Sequence, residues 1–156
     1  MTRSYDGRSG ASRLSVGVDL VEIARIGLLV EQYGERFTAR VYTPEELADC
    51  RGRVASLAAR WAAKEAVAKA LGVGIGVVGL QEIGVIQDDA GKPVIRLSGN
   101  AQRRAAALGL ASWSVSMSHD AGLALAFVVA LHEPLIGEQA LDSHEEEADA
   151  RKDPDR

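Results

Sequence analysis

Val54-Ala55-Ser56-Leu57-Ala58-Ala59-Arg60-Trp61-Ala62-Ala63-Lys64-Glu65-Ala66-Val67-Ala68-Lys69-Ala70-Leu71-Gly72 is the stretch on which the fold turns. Its alanines favour helix and Gly72 is a stop signal, so a long helix is expected from about Arg53 to Leu71. At 100° per residue, Leu57, Ala58, Trp61 and Ala68 fall within about 60° of Val54 and make an apolar stripe. Glu65 falls inside that stripe, at about 20°. An unpaired carboxylate there is costly, so Glu65 has either a partner or a task. The plain alternative is an ion pair with Lys69, one turn on. Arg53, Arg60 and Lys64 share one flank at roughly 240–280°, which is either solvated or a seat for phosphate groups.

Outward from this helix the chain mixes strands and helices. Leu14-Ser15-Val16-Gly17-Val18-Asp19-Leu20-Val21 alternates as a strand does, and Ile23 to Tyr33 suits a helix closed by Gly34. Thr43-Pro44-Glu45-Glu46 has the capping-box pattern with proline at the first helical position. Residues 80–87 and 93–97 read as two strands joined by Asp88-Asp89-Ala90-Gly91-Lys92. A short helix at 101–108 precedes two last strands, 112–118 and 123–131. The expected class is α+β, with an antiparallel sheet packed on the long helix.

Asp19 is the second unusual carboxylate, since aspartate is disfavoured in an apolar strand. It is either a strand-end residue bonding to nearby backbone or half of a site. Two carboxylates in apolar settings, one on a strand and one on a helix, suit a hard cation such as Mg²⁺.

The 156 residues are 47% hydrophobic and 26% charged, an ordinary globular balance that excludes a disordered or fibrous chain. Cys50 stands alone, which excludes an internal disulfide and a cysteine zinc site. The run 123–131 falls far short of the ~20 residues of a membrane span. The first residues have no apolar signal core, so a cytoplasmic protein is expected. The net charge of −4 is unevenly spread: from Glu133 onward there are nine acids and three bases, leaving residues 1–132 at +2. Three regions are therefore expected: a loose extension at 1–13, a domain at 14–132, and an acidic, disordered tail at 133–156.

Two motifs point the wrong way. Gly74-Ile75-Gly76-Val77-Val78-Gly79 spells a dinucleotide fingerprint, but a helix precedes it where a strand is needed. Its backbone amides could still meet a phosphate. Ser118-His119-Asp120 suggests a triad, yet neighbours on a strand point to opposite faces and make a poor nucleophile–base pair.

Several blocks together resemble the holo-acyl-carrier-protein synthase type of 4′-phosphopantetheinyl transferase. They are 17–26 (GVDLVEIARI), 36–47 (Arg36-Phe37 through Thr43-Pro44-Glu45-Glu46-Leu47), 60–72 (RWAAKEAVAKALG), Gly91-Lys92-Pro93 and 116–120 (SMSHD), in family order across the domain. The resemblance implies the 4′-phosphopantetheinyl transferase fold and transfer of phosphopantetheine from coenzyme A to a serine of apo acyl carrier protein, releasing 3′,5′-ADP. It makes Asp19 and Glu65 the Mg²⁺ ligands, with Val21 where larger relatives carry a third acid. It makes Lys69, with Lys64, a counter-charge for the pyrophosphate. Arg53 and Arg60 become candidates for the 3′-phosphate, and Gly72, Gly74, Gly91, Lys92, Pro93 and His119 for the rest of coenzyme A. Glu65, directly or through a metal-bound water, is the expected base, and Arg25 and Arg36 are the expected contacts of the carrier's acidic helix. Small members are homotrimers with active sites at subunit interfaces, so the same is expected here.

The chain departs from the pattern at Val73, where threonine is usual, and at Ala121-Gly122-Leu123, which lacks a common tyrosine. If the acidic tail mimicked the carrier, deleting 134–156 would lower the Michaelis constant for carrier; a solubilising tail would leave it unchanged. The competing class is a non-catalytic binder of coenzyme A or carrier protein.

Overall fold

A computed structural model describes residues 14–74 and 76–132. The expected extension at 1–13 and acidic tail at 133–156 lie outside the described residues. Three strands form one antiparallel sheet in the order β1 (Leu14–Glu22), β5 (Leu123–His132), β4 (Leu110–Asp120). A separate antiparallel hairpin joins β2 (Ile83–Gln87) to β3 (Pro93–Leu97). The α+β expectation holds, with the strands divided between two sheets.

The helices are α1 (Ile23–Tyr33), α2 (Glu35–Val41), α3 (Pro44–Cys50), α4 (Val54–Ala70) and α5 (Gly99–Ala107). α3 starts with the expected capping box: Glu46 N donates to Thr43 Oγ1 at 3.2 Å and Thr43 N donates to Glu46 Oε2 at 2.8 Å. α4 ends at Gly72, whose φ of 68° allows Gly72 N to donate to Lys69 O and Val73 N to Ala68 O. That bonding is a Schellman cap, favoured by glycine in the left-handed region. The sequence reading missed α2, which begins one residue after the stop signal Gly34. It also extended β2 back to Leu80, where the chain forms a 3-10 turn instead.

α4 lies across β1 and β5 on one side and meets β2 and α3 on another. It can lie that close because of Gly17. A Cβ there would sit 1.8 Å from the carbonyl oxygen of Ala66. The buried surface of α4 takes in Leu57, Ala58 and Ala68 of the predicted stripe but extends well beyond it. Ala59, Ala62, Ala63, Ala66, Val67 and Ala70 are all buried, whereas Val54, Trp61 and Glu65 are only half-buried. With alanine on every face the helix shows little contrast, so periodicity could not set its phase. Its neighbours set it.

Tyr42 closes the other end of the core. Its hydroxyl donates to Leu57 O at 3.0 Å, and Phe37 packs edge-on against its ring while stacking on Trp61. Burial, then the nearby Cys50 and Glu46, raise the phenol's proton affinity well above the ordinary. Above pH ~10 the unfolded chain loses this proton while the native state keeps it, so the tyrosine's contribution to stability declines as pH climbs. Tyr42→Phe should therefore cost about 1 kcal/mol at neutral pH, the worth of one hydrogen bond, and progressively less above pH ~10. Urea unfolding of both proteins across this range checks it; a cost that grows with pH contradicts it.

Candidate active site

The last turns of α4 and the middle of β1 bring together four charged side chains from three elements. Asp19 projects from the helix-facing side of β1, in register with Ala126 of β5 and, beyond it, Met117 of β4. Lys69 on α4 donates to Asp19 Oδ1 at 2.9 Å and to Val18 O at 2.8 Å. Glu65, one turn earlier on α4, is half-buried beside them. Burial and then the Asp19 charge raise the Glu65 pKa, opposed by Lys69 and by Arg25 of α1. Both alternatives for Glu65 are thus met in part: Lys69 is a neighbour, but its ammonium is bonded to Asp19.

The donor set fits a hard dication. The Asp19 charge that raises the proton affinity of Glu65 is a repulsion that such an ion relieves. Mg²⁺ characteristically takes one or two carboxylates and fills its remaining positions with phosphates and waters. Among the described residues no group of three or more histidine, cysteine or acidic side chains forms a denser metal cluster.

The other predicted residues divide. Gly72 and Gly74 are exposed in the loop directly after Lys69. His119 is exposed and shares the helix-facing side of the sheet with Val21, since both register with Ala124. Ser118 registers with Leu125 and faces the opposite way, so no serine–histidine pair forms. Arg25 and Arg36 are exposed on α1 and α2. Gly91, Lys92 and Pro93 sit at the exposed tip of the β2–β3 hairpin, where Asp88 Oδ1 accepts from the amides of Ala90 and Lys92. Arg53 is exposed and donates to the carbonyls of Cys50 and Asp49 at the end of α3.

Lys64 and Arg60 require correction. Both are buried rather than solvated or open to a ligand. Lys64 Nζ uses its three hydrogens on Glu46 Oε2 at 2.7 Å, Leu80 O at 2.9 Å and Ile83 O at 2.6 Å. Arg60 donates to Val85 O at 3.0 Å and Asp49 Oδ2 at 3.3 Å. These residues lie about 100–140° round α4 from Glu65. One chain therefore carries the carboxylate cluster and the hairpin tip on different faces of its central helix. The sequence signal for this pairing was the acids of α3: Glu46 was read only as part of the capping box, and Asp49 was not singled out.

Residues 15–128 match the model of the 4′-phosphopantetheinyl transferase superfamily, and the chain belongs to that family. The holo-[acyl-carrier-protein] synthase of Herpetosiphon aurantiacus is 52% identical over 125 residues, covering 76% of this chain and 98% of that protein. The Helicobacter pylori holo-[acyl-carrier-protein] synthase, solved in complex with coenzyme A, superposes with a TM-score of 0.68 at 37% identity over 74% of this chain and 98% of that one. The Neisseria meningitidis enzyme gives 0.67 at 41% identity, with 74% and 96% covered. The chain is thus a transferase of this class, and the expectation of an enzyme holds over that of a binding module.

Proposed function

We propose that the chain transfers 4′-phosphopantetheine from coenzyme A to a serine of apo acyl carrier protein, with Asp19 and Glu65 holding Mg²⁺. The supporting observation is the cluster of Asp19, Glu65, Lys69 and Arg25 where β1 meets α4. The serine oxygen bonds to the phosphorus of the phosphopantetheine, the bond to the bridging pyrophosphate oxygen breaks, and 3′,5′-ADP leaves with that oxygen. Glu65, directly or through a water, accepts the serine proton. Lys69, half-exposed and orientated by Asp19, meets the pyrophosphate. Bound Mg²⁺ supplies charge neutralisation for the departing phosphate. Arg25, with the exposed Leu28 one turn on, faces the carrier's acidic helix, joined by Arg36.

Intact-protein mass spectrometry of apo carrier with this protein, coenzyme A and Mg²⁺ tests the reading. A gain of one phosphopantetheine, lost with EDTA, is expected. No gain with several carriers would overturn it.

Self-association completes the site in this reading. The face of the sheet turned away from α4 exposes Val16, Val18 and Leu20 of β1 and Leu125, Phe127 and Leu131 of β5. Serines at 112, 114, 116 and 118 of β4 border this apolar patch. A contiguous apolar face of this kind marks an interface, and a homotrimer would cover it while a neighbouring hairpin supplies Lys92 and Pro93 to the carboxylate cluster. Phe127→Lys should convert trimer to monomer in sedimentation velocity and lose transfer together; a monomeric, active wild type contradicts this. No helix among the described residues is long and apolar enough to cross a membrane. A cytoplasmic setting, where coenzyme A and carrier proteins meet, follows from the reaction.

A further inference from the structure

β2 pairs with β3 along one edge. Its other edge is bonded at every second residue by charged side chains. Lys64 Nζ donates to Ile83 O at 2.6 Å, Val85 N donates to Glu46 Oε1 at 2.9 Å, Arg60 Nε donates to Val85 O at 3.0 Å, and Gln87 N donates to Asp49 Oδ2 at 3.0 Å. Residues 83, 85 and 87 thus turn these backbone groups away from β3, as alternation in an antiparallel pair dictates. The acceptors and donors that a neighbouring strand would offer come instead from α3 and α4. The side chains are also joined in pairs, Lys64 to Glu46 at 2.7 Å and Arg60 to Asp49 at 3.3 Å.

We propose that Lys64, Glu46, Arg60 and Asp49 act as a surrogate strand that holds the β2–β3 hairpin, and its Gly91-Lys92-Pro93 tip, in one register against α4. Arg60 and Asp49 are then positioning residues for coenzyme A, not ligands of it. A slip of one residue would turn the bonded groups of β2 toward β3 and leave four charged side chains without their backbone partners on β2. Buried ionic groups are strongly penalised when a partner is lost, and specifying register is their best-attested use. The inference rests on the reading above, in which the hairpin tip meets coenzyme A.

Asp49→Ala separates the alternatives by sign. Its side chain is 27% exposed, so its removal opens little of the core. If Arg60 bound a phosphate directly, removing the competing carboxylate would free it and lower KM for coenzyme A. If the carboxylate positions the hairpin, KM for coenzyme A rises roughly tenfold while kcat changes by less than about twofold, a displacement effect at a remote binding group. Asp49→Asn keeps an acceptor for Gln87 N and should restore most of the wild-type KM. Amide hydrogen exchange across residues 84–93 is expected to quicken in Asp49→Ala and not in Asp49→Asn. A KM that falls or stays put overturns the proposal, whatever the exchange shows. Should the wild-type chain fail to transfer phosphopantetheine to any carrier, the functional reading fails by itself. Exchange then decides the surrogate strand: quickening retains its register role, and unchanged exchange rejects it.

Discussion

Glu65→Gln is expected to lower phosphopantetheine transfer by roughly 10²–10³, the scale of losing one preorganised electrostatic group at a reacting centre, without lowering the melting temperature. The two halves of this result have one cause. Glu65 is half-buried beside Asp19, and both burial and that neighbouring charge penalise its ionised form. A neutral amide of the same shape removes the penalty, so the fold should be no less stable, in line with the usual opposition between stability and an active-site charge. The same change removes a metal-binding oxygen charge and the proposed base. Asp19→Ala should also abolish transfer, and it releases Lys69, whose ammonium otherwise donates to Asp19 Oδ1. Transfer measured by carrier mass and unfolding measured by heat, on the same preparations, check both halves. Activity that survives Glu65→Gln would move the catalytic centre elsewhere; activity lost together with the fold would make Glu65 a structural residue.

Gly17→Ala should destabilise the chain by about 3 kcal/mol or more, at or above the usual range for overpacking a core. The added methyl would stand 1.8 Å from Ala66 O, 2.8 Å from Ala66 C and 3.0 Å from Ala70 N. All three are backbone atoms of α4, so no rotamer change relieves the contact. α4 cannot simply retreat either, because Lys64 and Arg60 tether it to β2 on another side. For the same reason Ala66→Gly should not rescue the variant: the clash is with the carbonyl, not the side chain. Urea unfolding gives the stability change, and a residual folded fraction should show weakened transfer because displacement of α4 from β1 parts Glu65 from Asp19. A Gly17→Ala protein with wild-type stability would show that the approach of β1 to α4 is looser than 1.8 Å implies.

Much of this architecture was readable locally. Thr43-Pro44-Glu45-Glu46 specifies its own helix start, because both hydrogen bonds of the capping box lie within four residues. Gly72 ends α4 for a similar reason, and the strands announce themselves by alternation. Asp19 and Glu65 stood out because each is a carboxylate in apolar company, a conflict visible without coordinates. The block 60–72 and its companions carried the family. Less was legible where alanine dominates. A helix with small side chains on all faces gives periodicity little to measure, so the predicted stripe caught Leu57, Ala58 and Ala68 but not the breadth of the buried side of α4.

By itself, then, the sequence determined most of the elements, their caps, the family and the two carboxylates, since each depends on neighbours within a turn or on residue types that are costly where they stand. Only the tertiary structure decided the rotation of α4 and which cations are buried and which stay open. Lys64 and Lys69 lie five residues apart on one helix and look interchangeable in the sequence. Lys64 is sealed against Glu46 and the edge of β2, while Lys69 remains half-exposed beside Asp19. That difference is set by contacts between residues 18 to 50 positions apart, and burial energy depends on what packs against a side chain rather than on its place in the chain.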